Sequence, residues 1–146
     1  DHAAWSDVEG RASCARAGTL QGFLPGTPHV LGSDHWPPIR ECLDNNWPWT
    51  LASDFNPNCD SLSLPFSANL AVTRCGVDPL EALVACTRNA ASGMDHPRGL
   101  QAGVLRPGAT ASLNILGGGQ VDEWCRTSGE SPFIATLVEG RWHRSL

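Results

Sequence analysis

The chain has 146 residues, enough to bury one sizeable core but short of the roughly 250 that a full eight-stranded α/β barrel takes. Ten basic residues, all arginine, face fifteen acidic ones; the net charge of −5 and the lack of any basic run exclude an electrostatic nucleic-acid surface. No apolar stretch approaches the roughly 18 residues that a membrane-crossing helix needs.

The first residue is Asp1 and the only methionine is Met94, so the chain is expected to be a portion of a longer polypeptide. Residues 7 to 17, DVEGRASCARA, predict a short helix ended by Gly18. TLQGFLPG, 19 to 26, predicts a buried strand stopped by Pro25 and Gly26, and a loop, TPHVLGSDHW, follows. PPIRECLDNN, 37 to 46, predicts a helix, because the first helical turn tolerates proline. WTLAS, 49 to 53, predicts the next strand, with Asp54 at its end. Asp1 and His2 are expected at the end of an earlier strand. Helix, strand, helix, strand with short connections is the pattern of parallel βα units with right-handed crossovers.

Two more helices are expected downstream. LPFSANLAVTRC, 64 to 75, sets Leu64, Ala68, Val72 and Cys75 on one face. DPLEALVACTRNAA, 78 to 91, opens with Asp78 as N-cap and Pro79 at the first helical position, and Leu80, Leu83, Val84 and Thr87 recur at helical spacing. Near Gly93 the composition shifts to Gly, Pro and short alternating runs: ASLNIL at 111 to 116 and FIATLVEGRWH at 133 to 143. Glu139-Gly140 marks a hairpin turn in the second run. The division expected is therefore an α/β unit over 1–92 and a small β unit over 93–146.

Asp54 is the strongest chemical candidate. Parallel α/β sheets gather functional residues at the carboxyl ends of their strands. A carboxylate there can bind a divalent ion and move a proton between water and a leaving nitrogen. By itself, Asp54 reads more readily as an Asx-turn residue opening a loop. Asn56, Asn58 and Cys59 share the turn; amides suit a polar heterocycle or carboxylate, but Asn-Pro-Asn is also plain turn chemistry. Cys59 has no histidine fixed beside it by sequence, which weakens a nucleophile reading. His2 could polarise a carbonyl or simply be solvated. His29, His35, His96 and His143 have no metal-ligand spacing, so no self-contained zinc motif exists. Gly117 to Gly119 lack the Lys-Ser/Thr ending of a phosphate loop and read as a turn. The six cysteines contain no C-x-x-C pair and are expected as reduced thiols in a cytoplasm.

SDFNPN, residues 53 to 58, resembles the strand-eight motif of the imidazolonepropionases, members of the metal-dependent amidohydrolase superfamily. The resemblance runs along nearly the whole chain. ASCARAGTLQGFLPG is similar to the family's run from helix six into strand seven, and SLPFSANLAVTRCGVDPLEALVACTRNAA to the segment after strand eight. LRPGATASL, 105 to 113, is similar to the superfamily's opening of its β-sandwich, and FIATLVEGRW, 133 to 142, to the closing hairpin. Departures are Asn58 where many relatives have Gly, Cys59 where many have Ser or Thr, and Ser112 where the sandwich opening has Asp.

The resemblance implies an α/β fold: the C-terminal part of a (β/α)8 barrel, about strands 6 to 8 with their helices, then part of a small β-sandwich. It implies hydrolysis of the ring amide of 4-imidazolone-5-propanoate to N-formimidoyl-glutamate in histidine degradation. It implies one divalent metal ion, zinc or iron, with Asp54 as ligand and proton shuttle and His2 helping to polarise the carbonyl. Asn56, Asn58 and Cys59 would meet the substrate. The family's H-x-H pair on strand one and histidine on strand five are not in this sequence, so the implied partner is the N-terminal barrel portion, in cis or in trans; a homodimer is left open. Two rival readings stand beside this one: a truncated remnant acting as a structural or binding module, and another hydrolase of cyclic amides or amidines.

Overall fold

The computed structural model describes residues 1–143. Two short parallel strands form its centre: β1, Gln21–Phe23, and β2, Trp49–Leu51, in the register Gln21↔Trp49, Gly22↔Thr50 and Phe23↔Leu51. Each is preceded by a helix. Helix α1, Val8–Arg16, starts at Asp7, whose side chain accepts from the Gly10 amide, and ends before Gly18 at φ 72°. Gly26–Val30 forms a one-turn helix, α2, where the sequence predicted a loop. Its proline is at the third position, so it removes an amide that the first turn leaves unpaired anyway. Helix α3, Ile39–Asp44, follows Pro37 and Pro38 and leads into β2.

Asp1 and His2 are not in a strand, but the Asp1 backbone passes within 3.2 Å of where a Gly22 side chain would start. A side chain at Gly22 would require Asp1 to shift by a few tenths of an ångström.

Helix α4, Leu64–Cys75, matches its expected bounds because both ends are signalled locally. Ser63 caps the Phe66 amide, Pro65 sits in the first turn, and Gly76 closes the helix at φ 67°. Helix α5, Pro79–Val84, opens with a full capping box between Asp78 and Glu81. It continues through a π-helical turn, Ala85–Asn89, into a last short helical piece, α6, Ala90–Ser92. At the π turn the Ala85 carbonyl accepts from Thr50 Oγ1 at 2.8 Å, and Asn89 Nδ2 donates to the Trp49 carbonyl at 2.9 Å. These two bonds lock the helix to β2. The face turned inward is Ala82 and Ala85; Leu80 and Val84 remain 45% and 42% exposed. Small side chains let the helix approach the sheet closely; Leu83 packs against the core edge, while Leu80 and Val84 face out.

Strand β3, Leu113–Leu116, pairs antiparallel with β4, Phe133–Val138, which pairs with β5, Arg141–His143. Glu139 and Gly140 both have positive φ, 51° and 79°, as a type I′ hairpin turn requires. Ser112 Oγ accepts from the Glu139 amide at 3.0 Å, so the serine standing in for Asp still supplies a turn bond.

The core joins both parts of the chain. Phe23, Trp49, Leu51, Ala68 and Ala82 share one buried cluster with Trp124 and Cys125, which come from the 3₁₀ turn Val121–Cys125 between β3 and β4. Trp124 Nε1 donates to the Pro79 carbonyl at 2.8 Å, and Asn69 Nδ2 donates to the Cys125 carbonyl at 3.0 Å. Arg11, itself buried, pairs bidentately with Glu41 at 3.1 and 2.8 Å and ties α1 to α3.

Candidate active site

The site is built by register. Because Phe23 stands beside Leu51, the residues that follow β1 and β2 emerge side by side at the same carboxyl end. Thr27 comes from the first connection, at the start of α2; Asp54 comes from the second. Asp54 adopts φ 54°, the left-handed region that Asp and Asn tolerate better than other L-residues. The chain then turns through Asn56, Pro57 and Asn58 to Cys59, whose backbone pairs with that of Asn56 at 3.2 and 2.9 Å.

A chain of donors orders this turn. The Asn58 amide donates to Asn56 Oδ1 at 2.8 Å, which sets the orientation of the Asn56 side chain. Asn56 Nδ2 then donates to the Asp54 carbonyl and, at 3.1 Å, to Thr27 Oγ1. Thr27 Oγ1 donates in turn to Asp54 Oδ2 at 2.5 Å. The other carboxylate oxygen, Oδ1, faces His2 Nε2 at 3.7 Å. That span exceeds a direct hydrogen bond but admits a bridging water or substrate atom. The Asp54 side chain is 17% exposed and that of His2 is 50% exposed.

The residues proposed from sequence thus separate into three groups. Asp54, His2 and Asn56 come together. Asn58 is exposed at the rim and offers its side chain outward, while its amide holds Asn56. Cys59 is fully buried beneath the turn, with Sγ 3.8 Å from the Ser53 carbonyl and against Gly26, where a Cβ would come within 2.9 Å of the sulfur. Its backbone, not its thiol, is on the side of Asn56. Thr27 is the site residue that sequence reasoning missed. The available signal was a hydroxyl residue just past the Pro-Gly stop of β1, at the same sheet end as Asp54.

Beside His2 and Thr27 opens a small cleft of about 200 Å³, walled by Trp5, Leu24, Pro28 and His35. The Trp5 and His35 rings stack at 4.4 Å, and His35 Nε2 is 2.8 Å from the Ala4 carbonyl. The wall of the cleft is mostly apolar and aromatic, and His2 and Thr27 are among its lining residues. The donors of the chain do not close a metal site: among the described residues no three His, Cys, Asp or Glu side chains are grouped to hold an ion. Asp54 and His2 make two donors at most, and a zinc centre takes three or four protein ligands.

The fold has close relatives of known structure. It superimposes with a TM-score of 0.78 on E. coli guanine deaminase, at 16% identity, over 99% of this chain and 38% of that one. It superimposes with a TM-score of 0.77 on a mutant of atrazine chlorohydrolase TrzN from Arthrobacter aurescens TC1, complexed with zinc and atraton, at 21% identity, over 97% of this chain and 34% of that one. The two parallel strands, their helices and the small antiparallel sheet thus share their fold with about a third of each of these larger chains. No family model matches the chain. Sequence relatives narrow the class: the chain is 37% identical over 115 residues to an imidazolonepropionase of Haloarcula marismortui, covering 79% of this chain and 26% of the relative. It is 31% identical over 141 residues to one from Klebsiella pneumoniae, covering 96% of this chain and 34% of the relative. The chain is thus similar to imidazolonepropionases along most of its own length. It spans between about a quarter and a third of the length of these two curated relatives.

Proposed function

We propose that the chain carries the strand-eight side of an active site that hydrolyses the ring amide of 4-imidazolone-5-propanoate to N-formimidoyl-L-glutamate, a step of histidine degradation in the cytoplasm, once joined to the N-terminal barrel portion. The observation that carries this reading is Asp54: a carboxylate at a strand end, one oxygen held and the other turned toward an imidazole across an open gap. Similarity to imidazolonepropionases supports the substrate class.

The chemistry required is addition of water to the ring carbonyl and breakage of its C–N bond. Asp54 takes a proton from the attacking water, and the same carboxylate returns it to the departing ring nitrogen. One water is consumed and no net proton is released by the carboxylate. His2, across the gap, is placed to donate a hydrogen bond to the carbonyl oxygen as negative charge gathers there. Asp54 is also the ligand this chain offers to a divalent ion, zinc or iron, whose nitrogen ligands come from outside it. The fragment without those ligands is expected to be inactive. Asn56, Asn58 and the Cys59 backbone form the rim that substrate would meet.

The test is co-expression of this chain with the N-terminal two thirds of an imidazolonepropionase, in one polypeptide and as two. Formation of N-formimidoyl-glutamate is followed by mass spectrometry. Turnover by the pair, none by either part, and loss of at least roughly a thousandfold in Asp54→Ala is the expected result. A folded, metal-loaded pair that leaves the substrate intact would remove this activity. In that case hydrolysis of another cyclic amide or amidine, or a purely structural role, becomes the better account.

A further inference from the structure

We propose that Thr27 is a positioning residue for Asp54: its hydroxyl proton, aimed by Asn56, holds Oδ2 and leaves Oδ1 as the oxygen that handles the proton. The inference rests on the reading of Asp54 given above and assigns the division of labour within its carboxylate.

The argument follows the hydrogens. A threonine hydroxyl has one proton and two lone pairs, and its rotor is otherwise free. Asn56 Oδ1 is engaged by the Asn58 amide at 2.8 Å, so the neighbouring atom at 3.1 Å from Thr27 Oγ1 is the amide nitrogen, a donor. Thr27 Oγ1 must accept there, and its own proton is left for Asp54 Oδ2 at 2.5 Å. A hydroxyl donating to a carboxylate is a charge-assisted bond, short and strong. The carboxylate consequently cannot rotate freely about its last torsion. Oδ1 is presented toward His2 at 3.7 Å, while Oδ2 is withdrawn from the gap.

Backbone and side chain of Asp54 are held by different partners. Asn56 Nδ2 also donates to the Asp54 carbonyl, which pins the left-handed peptide; Thr27 pins the carboxylate. Thr27 itself is placed by α2 and by Gly26, whose lack of a side chain lets this connection rest on Cys59 and the Ser53 carbonyl. Two sequence segments separated by a whole βα unit thus fix one torsion angle. Alignment of a proton-transferring oxygen affects the rate of the chemical step more than the affinity for the ground state.

The experiment uses the assembled enzyme, this chain with the N-terminal barrel portion, carrying Thr27→Val or Thr27→Ser. Valine keeps the shape and removes the hydroxyl; serine keeps the hydroxyl. The expected result is a kcat roughly 10- to 100-fold lower in T27V at nearly unchanged KM, with T27S within about threefold of the parent. Crystal structures of both variants provide a readout independent of turnover: the Asp54 carboxylate should be turned from its parent orientation in T27V and not in T27S. An unchanged kcat in T27V, a rise in KM alone, or a carboxylate that keeps its orientation without the hydroxyl overturns the proposal. Should T27V fail to fold, T27S with a kcat as low as that of Thr27→Ala would overturn it equally. If the parent assembly shows no turnover, the hydrolase reading fails, and the carboxylate orientation in T27V still decides the role of Thr27.

Discussion

At the scale of single residues, the carboxyl end of the sheet spends its polar side chains on conformation. Asp54 is held at positive φ, and the Asn56 amide nitrogen is engaged by Thr27 and the Asp54 carbonyl. Such a turn persists only when its surroundings over-determine it. The thiols nearby behave oppositely, as small buried hydrophobes. Burial pushes Cys75 and Cys125 up to about 11 from an ordinary value of 9.0. It does the same for Cys42, where the Arg11 charge works against the rise and Glu41 with it. Raised folded values set the sign of a pH dependence. Below about 9 both states hold the protons and the stabilisation is complete; above it the unfolded chain ionises first, and stability falls until the folded thiols also ionise near 11. In the assembled protein we expect Tm to decline across that window, and Cys42→Ala or Cys125→Ala to flatten the decline while lowering Tm at pH 7. A Tm independent of pH between 9 and 11 would contradict the buried, neutral thiols.

Among the elements, the 3₁₀ turn Val121–Cys125 has the most consequence for so short a piece. It carries Trp124 out of the region of antiparallel strands and into the core beside α4 and α5. Trp124 also satisfies the Pro79 carbonyl in the first turn of α5. Removing a buried tryptophan side chain costs about 3–5 kcal/mol through lost burial and the cavity left behind. Trp124→Ala in the assembled protein should lower the urea midpoint accordingly, and Trp124→Phe, which retains bulk but not the N–H, should lower it by less. A loss within 1 kcal/mol of zero would mean that the turn is not part of the folding unit. This element was not legible in the sequence, because VDEWC is too short to show a helical or strand period. The helices with local signals were: Ser63 and Gly76 bound α4, and Asp78 and Glu81 open α5. The site divides along the same line. Asp54 and Asn56 could be found because strand end and turn are adjacent in sequence. Thr27 could not, because its meaning depends on β1 and β2 lying in parallel register, a relation between segments that no local pattern encodes. Likewise, spacing along α5 gave the period of Leu80, Leu83, Val84 and Thr87 but not which side of the helix would face β2.

At the scale of the whole molecule, the two-stranded parallel sheet is buried on its faces, and its edges are what a further strand could meet. Parallel sheets in α/β proteins are buried on both faces and flanked by further strands. Among the described residues β1 and β2 pair as strands only with each other, so each retains an outer edge, although the Trp49 carbonyl on that of β2 is taken by Asn89 Nδ2. Near the carboxyl end of this sheet, Phe55 is 56% exposed and Leu62 is 73% exposed. An isolated two-strand unit is marginal in water unless helices pack against it. The expectation for the chain by itself is association through these edges, with binding of a hydrophobic dye at micromolar concentration. On the proposed reading, adding the N-terminal barrel portion should suppress both, because its strands would pair with the same edges. Size-exclusion chromatography with light scattering measures the first effect, and dye fluorescence the second. A cooperatively melting, dye-negative monomer would show that the edges are satisfied within the chain itself. The core shared by Phe23, Trp49 and Trp124 would then suffice for an independent module, and the structural reading of this protein would gain over the enzymatic one.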